Sequence, residues 1–270
     1  MTAISIATEA PMARPAARLR GAIGDALTIT QRNLITLRRV PQLLVFSSIQ
    51  PILFVLMFRY AFGGAVSTPV PRYVDYLMPG IYAQVVAFGA INTGVGLAED
   101  KGKGLIERMR SLPMARSAVL AGRTFADLVR NIFVILLMVV MGFIVGFHLH
   151  NGVVPYIGGL FLLLAFGFSL SWVFALIGLS ASNAETAQAA GFPLLVPLVF
   201  ASSAFVPINS MPGWLQVFAA HQPLTQVIDA MRALVLGLPA AGDVLRSLAW
   251  SIGIVAVFSP LSIRRYRRTT

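Results

Sequence analysis

Six long apolar runs, separated by short polar stretches, organise this chain. They cover Leu43–Tyr60, Tyr76–Leu97, Ala118–Phe147, Pro155–Ser180, Gly191–Pro207 and Val244–Ile263. In the third, the apolar part proper begins at Leu128 and continues a helix that starts near Ala118. A helix needs about 20 apolar residues to span a hydrocarbon core, and only helices or closed barrels can satisfy their backbone there. The pattern therefore predicts an all-α membrane protein with six transmembrane helices. The fifth run is the shortest and contains Pro193 and Pro197, so neighbouring elements must satisfy the backbone groups these prolines free.

Three segments are patterned without being spans. In Gly21–Arg39, Ile23, Leu27, Leu34 and Leu37 can share one side, with Arg32, Arg38 and Arg39 at the polar side or end. This is either an amphipathic helix lying in the cytoplasmic interface or a plain juxtamembrane helix. In Glu99–Pro113, Leu105, Met109 and Leu112 fall on one helical face, with Glu107, Arg108 and Arg110 on others. Such a stripe suits docking into a groove on another protein, or the charges serve only topology. Val206–Leu238 is too polar and too broken by proline to span. It reads as an extracellular re-entrant gate or as an amphipathic lid resting on the membrane, with Trp214, Leu215, Val217 and Phe218 at the interface.

Charge sets the orientation. Arg14, Arg18, Arg20, Arg32, Arg38 and Arg39 precede the first run; Lys101, Lys103, Arg108, Arg110 and Arg116 follow the second; Arg264, Arg265, Arg267 and Arg268 follow the sixth. The intervening loops carry Arg72, nothing basic around His148–Asn151, and Arg232, with Arg246 near the start of the sixth run. The positive-inside rule then places both termini and Glu99–Ser117 in the cytoplasm of a bacterial cell, in a multi-pass plasma-membrane protein. Ala181–Ala190 is expected as an inner loop although it has no Lys or Arg. The chain divides into a disordered arm over 1–20, a transmembrane domain over 21–263 and a basic cytoplasmic tail over 264–270.

Composition agrees: hydrophobic residues make up 57% and charged residues 11%, against about a quarter charged in soluble domains. The net charge of +11 is spread over loops at membrane ends. It therefore fits topology and attraction to anionic lipid, and not nucleic-acid binding. With no cysteine, disulfides and thiolate metal sites are excluded. No signal peptide is expected, since the first apolar run follows a long Arg-rich arm.

Catalytic patterns are missing. The chain has no GxxxxGK[ST], HExxH or GxSxG sequence. His148 and His150 form a lone HxH pair, for which no metal site is expected. Arg123, Asp127 and Arg130 can share one helix face and read as a structural ion cluster, in preference to a proton relay. Ser47, Gln50, Gln84, Asn92, Ser202 and Ser203 are uncharged polar residues within the spans. Helix packing explains them, as do the Ala90/Gly94 and Asn92/Gly96 spacings; the alternative is a mildly polar pathway for an amphipathic solute.

LAEDKGKGLIERMRSLPMARSAVLAGRTFADLVRN (Leu97–Asn131) and FVPINSMPGWLQVFAAHQPLTQVIDAMRALVLG (Phe205–Gly237) resemble the ABC type-2 permease family, in its daunorubicin-resistance branch. The resemblance covers nearly the whole chain apart from the leader through Arg20. It implies a pair of permease subunits, homodimer or heterodimer, working with two separate ATP-binding-cassette ATPases. It implies a coupling helix that inserts into the ATPase, falling on Glu99, Asp100, Lys101, Gly104, Leu105, Glu107, Arg108, Arg110, Leu112 and Pro113. It also implies a connecting helix before the first span and re-entrant outer helices at Val206–Leu238. The expected function is that of an exporter permease moving a hydrophobic drug, antibiotic or complex lipid. The chain would be no enzyme by itself and hold no cofactor; ATP and Mg would bind the partner. The rivals are an ion-coupled secondary transporter, which the scarcity of buried carboxylates disfavours, and an intramembrane enzyme, for which no catalytic constellation exists.

Overall fold

The computed structural model describes residues 28–31, 35, 42–66, 68–106 and 116–268, with side chains left out at 42–47 and 116–119. Among the described residues every regular element is helical. The helices are α1 (Gln42–Leu56, continued by a π-helical turn Met57–Phe62), α2 (Tyr73–Gly102), α3 (Arg116–Ile144), α4 (Val153–Ser180), α5 (Ala184–Phe200), α6 (Gly213–His221), α7 (Pro223–Leu236) and α8 (Ala241–Arg268). Four of them, α2, α3, α4 and α8, are long and apolar enough to cross a membrane; the helix ending at Phe62 and α5 are shorter apolar helices.

Helix α2 is the axis of the bundle, with 72% of its most apolar stretch buried inside the protein, against 11% for α8. Its residues from Tyr73 to Ala87 are buried without interruption, the all-round burial expected of a central helix. It packs most extensively against α4, then against α5 and α3. The core joins Leu77, Ile81 and Val86 of α2 to Leu163, Phe166 and Phe174 of α4, with Val227 and Met231 of α7 closing one end. Outward faces are apolar too: Phe133, Leu136 and Val140 of α3, and Leu245, Ile252 and Val257 of α8, are exposed. Bare apolar surface of that extent is stable only against hydrocarbon.

The α2–α4 crossing is tight because glycines meet there. A Cβ added at Gly178 would strike the Gly94 carbonyl oxygen, and one added at Gly94 would lie 2.6 Å from the Phe174 carbonyl oxygen. Small residues four apart, such as Ala90 and Gly94, let two helix backbones touch where no hydrophobic drive separates helix from lipid.

The two ends of the bundle differ in chemistry. At one end Ile29, Leu97, Ile106, Leu120, Leu179 and Tyr266 form a second apolar cluster. At the other end Arg72 Nη1 lies 2.6 Å from His148 Nδ1, and the His148 N–H donates to Asp75 Oδ1 at 2.9 Å. His150 Nε2 approaches Asp75 Oδ2 at 3.6 Å. No group of three or more His, Cys, Asp or Glu able to hold a metal occurs among the described residues.

Several boundaries move. The fifth apolar helix runs from Ala184 to Phe200 and not from Gly191 to Pro207. Asn183 caps it, its Oδ1 accepting from the Thr186 N–H at 2.8 Å. Asn-Ala-Glu-Thr is an N-terminal signal, so the inner loop expected over 181–190 shrinks to three residues. At its other end the helix stops at Phe200, with Pro193 and Pro197 inside it and the Ala201 N–H returning to the Pro197 carbonyl at 2.9 Å. Helix α8 continues to Arg268, through most of the segment expected as a tail. The arm over 1–20 lies outside the described residues. So does most of the helix expected over 21–39, of which residues 28–31 and 35 are helical and Ile29 is buried.

Replacing Gly178 with leucine should lower stability by about 1–3 kcal/mol or more, the cost of overpacking a close contact. Gly158→Ala, where an added Cβ meets nothing within 4 Å, should be neutral. Unfolding midpoints of the two variants in detergent check this.

Candidate functional site

Near the middle of α2 the bundle opens into a cavity of about 330 Å³. Gln84, Phe88, Asn92 and Val95 recur along α2 at spacings of four, four and three, which puts them on one face. Gln50 and Pro51 of α1, Arg130, Asn131 and Val134 of α3, and Gln188 and Phe192 of α5 complete the wall. Phe88 and Phe192 face each other with ring centroids 6.1 Å apart. Apolar walls with a few converging polar groups, at this volume, are the usual form of a small-molecule site. Three sequence-predicted pathway residues, Gln50, Gln84 and Asn92, meet here; Arg130, Asn131 and Gln188 were missed. A single amide within an apolar run carries no signal of which way it points.

One wall belongs to an ion cluster. Asp127, 5% exposed, accepts from Thr93 Oγ1 at 2.6 Å and lies 3.4 Å from Arg130 Nη1 and 3.7 Å from Arg123 Nε. Arg123 Nη1 also reaches Asp100 Oδ2 at 3.9 Å. Both arginines cap carbonyls of α2: Arg123 Nη2 donates to Asn92 O at 3.3 Å and Arg130 Nη2 to Gly89 O at 2.5 Å. Gly96 leaves room for the Arg123 guanidinium, which an added Cβ would strike. Spacing in α3 places Arg123, Asp127 and Arg130 on one face. Thr93 and Asp100 come from α2 and needed the tertiary fold. Two positive and two negative groups thus balance at the α2–α3 contact, and their partners offset the desolvation that burial demands.

The expected coupling segment is described only in its first half. Glu99 and Lys103 form an exposed pair at 3.4 Å, of a kind worth little. Asp100 meets Arg123, and Lys101 Nζ donates to Ala181 O at 3.0 Å. The Lys103 N–H returns to Glu99 O at 2.9 Å and that of Gly104, whose φ is 67°, to Lys101 O at 3.1 Å. This left-handed stop ends α2. Leu105 packs on the second apolar cluster and Ile106 is fully buried in it. Glu107, Arg108, Arg110, Leu112 and Pro113 lie outside the described residues.

Ser202 and Ser203 do not line the cavity. They sit in the turn after α5. Ser202 Oγ donates to Val199 O at 2.5 Å, and Ser203 Oγ donates to Asp229 Oδ1 at 2.7 Å. Arg232 ties this turn down: Nη2 donates to Ser203 O at 2.8 Å and to Tyr76 O at 3.2 Å, Nη1 pairs with Asp229 at 2.7 Å, and the guanidinium lies 3.7 Å from the centroid of the Tyr76 ring. Burial pushes the Asp229 carboxyl above its ordinary range, against the pull of Arg232 and the Ser203 hydroxyl. Gln222 Nε2 donates to Leu198 O at 2.9 Å and to Ala201 O at 3.3 Å, satisfying carbonyls at the end of α5. The side chain of Ser47 lies outside the described residues. The pair Asp229/Arg232, three apart in an apolar stretch, was the available sign of this clamp.

Asp127→Asn should leave Arg130 without a charged partner and Arg123 with Asp100 alone, and cost about 3–5 kcal/mol of stability. Adding Arg130→Gln should recover part of the loss, while Lys103→Ala should change stability by under about 1 kcal/mol. Unfolding midpoints of the four proteins check the series.

Comparison with known proteins places the site in context. Residues 25–236 match the ABC-2 type transporter family. The chain is similar to the daunorubicin resistance ABC transporter permease protein DrrB1 of Streptomyces coeruleorubidus, 35% identical over 246 residues, covering 91% of this chain and 87% of that protein. It is also similar to the probable doxorubicin resistance ABC transporter permease protein DrrC of Mycobacterium tuberculosis, 30% identical over 272 residues with 97% and 95% covered. A putative transport permease of Cyanophora paradoxa, ycf38, is 28% identical over 218 residues, with 78% and 74% covered. Lipid-suited helices, a polar cavity among them and a match over most of the length lead to one assignment: the chain belongs to the ABC-2 type transporter family.

Proposed function

We propose that this chain is the permease subunit of an ATP-driven exporter that moves a hydrophobic or amphipathic compound out of a bacterial cell. The observation that carries the reading is a path of contacts. Asp100, at the cytoplasmic entrance to the expected coupling segment, pairs with Arg123; Arg123 pairs with Asp127; Asp127 pairs with Arg130, which lines the cavity. Motion imposed on the loop after α2 has a stiff polar route to the cavity wall. Similarity to permeases named for daunorubicin and doxorubicin resistance supports a drug-like substrate, and the mixed lining of the cavity suits an amphiphile.

In this reading six apolar helices cross the membrane, with both termini in the cytoplasm. The helix ending at Phe62 and α5 complete the set begun by the four long ones. Helices α6 and α7 form the outer re-entrant segment, and the Arg232 clamp holds it to α2. Two copies, or this chain with a related one, work with two cassette ATPases that bind ATP and Mg. The solute passes beside α1, α2 and α5, where Gln50, Gln84 and Asn92 stand.

The test is co-expression with a cassette ATPase encoded beside the chain. Inverted vesicles should show ATP-dependent uptake of amphipathic anthracyclines, and vesicles with the permease alone should show none. Met109→Asp puts a charge on the apolar stripe expected to dock. It should cut ATPase co-purification and stimulated hydrolysis at least ten-fold while the permease stays inserted. Leu105 is unsuited to this test because it also packs on the second apolar cluster. Wild-type coupling in Met109→Asp would reduce the loop to a topological anchor, and uptake without ATP would replace the exporter with a secondary transporter.

A further inference from the structure

We propose that Tyr266, in the last turn of α8, is a positioning residue for the coupling segment: its ring helps to seat Leu105 and Ile106, the root of that segment, against α4. The proposal rests on the exporter reading for the role of the segment; the brace itself rests on packing. Helix α8 otherwise faces outward, with 11% of its most apolar stretch buried. It turns serines inward, and Ser247, Ser251 and Ser262 are buried. Of its hydrophobic residues Tyr266 alone is buried, at 1% exposure. Arg264, Arg265, Arg267 and Arg268 around it are all exposed. A ring removed from water within an otherwise exposed, charged turn anchors that turn.

The surroundings of the ring give the anchor its role. Ser262 stands one turn earlier on the same face, and its Oγ donates to the Trp172 carbonyl oxygen at 2.9 Å, which sets α8 on α4. Tyr266 then enters the second apolar cluster, with Trp172 and Leu179 of α4 and Leu97 of α2. Ile106 is fully buried in the same cluster and Leu105 packs on it. Gly104, with a φ of 67°, has just ended α2. The course of the chain beyond that stop is therefore set by where Leu105 and Ile106 pack. A ring from the other end of the sequence forms part of their seat, and cutting it to a methyl group opens a cavity there.

The experiment uses the full chain in lipid nanodiscs, alone and with its cassette ATPase. The chain has no cysteine, so one introduced thiol reports its own exposure. Ile106→Cys should react with a membrane-impermeant maleimide about ten-fold more slowly than Lys103→Cys, at an exposed position. Adding Tyr266→Ala should raise the Ile106→Cys rate about ten-fold. Without the thiol, Tyr266→Ala should still bind the ATPase but lower permease-stimulated ATP hydrolysis about five-fold, while Tyr266→Phe, which keeps the ring, should stay within about two-fold of wild type in both readouts. Tyr266→Leu, a milder cut, should shift both readouts in the same direction by less, and it decides the matter where the alanine variant does not insert. Leu163→Ala, in the main core, should lower the unfolding midpoint to a similar degree and move neither readout. Labelling of Ile106→Cys as fast as Lys103→Cys in the wild-type background overturns the seat. Continued protection in Tyr266→Ala, or lost protection with full stimulation, overturns the brace and leaves the exporter reading standing. The same two changes in Leu163→Ala reduce the effect to general loosening and overturn the brace as well. No stimulation of the ATPase by wild type, with Tyr266-dependent protection intact, sinks the exporter reading and leaves the brace standing.

Discussion

Asp127 is the interaction on which the functional half of the molecule depends. Arg123 and Arg130 stand one helical turn either side of it, and neither guanidinium tolerates burial alone. Because Asp127 pairs with both, and Asp100 supplies the second negative charge, Arg130 can lie against α2 with the Gly89 carbonyl as a further partner, and α3 can approach the central helix closely. Remove that carboxylate and the cavity loses a wall, while Asp100 keeps an arginine with nothing behind it. Stability and the proposed transmission thus rest on the same carboxylate.

The opposite end solves the same problem differently. After α5 the chain leaves helical geometry at Ala201 and needs partners for its backbone in an apolar setting. Gln222 and Arg232, both on or beside α7, provide them. Arg232 also covers the Tyr76 ring, which ties α2, the turn and α7 together. The Arg232 clamp at one end and the Asp127 cluster toward the other leave the cavity between two anchored regions.

Much of the helical architecture was legible in the sequence, because hydrophobic run length is a one-dimensional signal. The apolar runs became helices, and spacing alone put Arg123, Asp127 and Arg130 on one face. Failures have local causes. The fifth helix was set too late because its apolar weight lies past Gly191, whereas its start is fixed by the Asn183 cap. Ser202 and Ser203 share the composition of pathway residues, yet the helix ends at Phe200 and leaves them in the following turn, where Ser202 bonds Val199 and Ser203 bonds Asp229 and Arg232. Gln84 and Asn131 reach one cavity from different helices, and no periodicity within either helix reports that meeting.

The location of the cavity follows from Gly89. A Cβ there would strike the Asn131 Oδ1, so only glycine lets that amide lie flat against α2. The exposed Gly89 carbonyl then accepts from both Arg130 Nη2 and Asn92 Nδ2, and three polar side chains gather around one missing methyl. The shared carbonyl and the Asp127 partner of Arg130 make this polar wall tolerable in a bilayer. Gln84 stands five residues earlier in α2, and its buried Oε1 has no hydrogen-bond partner among the described residues. The same absence of a side chain that lets α3 pack on α2 therefore also creates the polar cavity, and packing and recognition cannot be changed separately at this position.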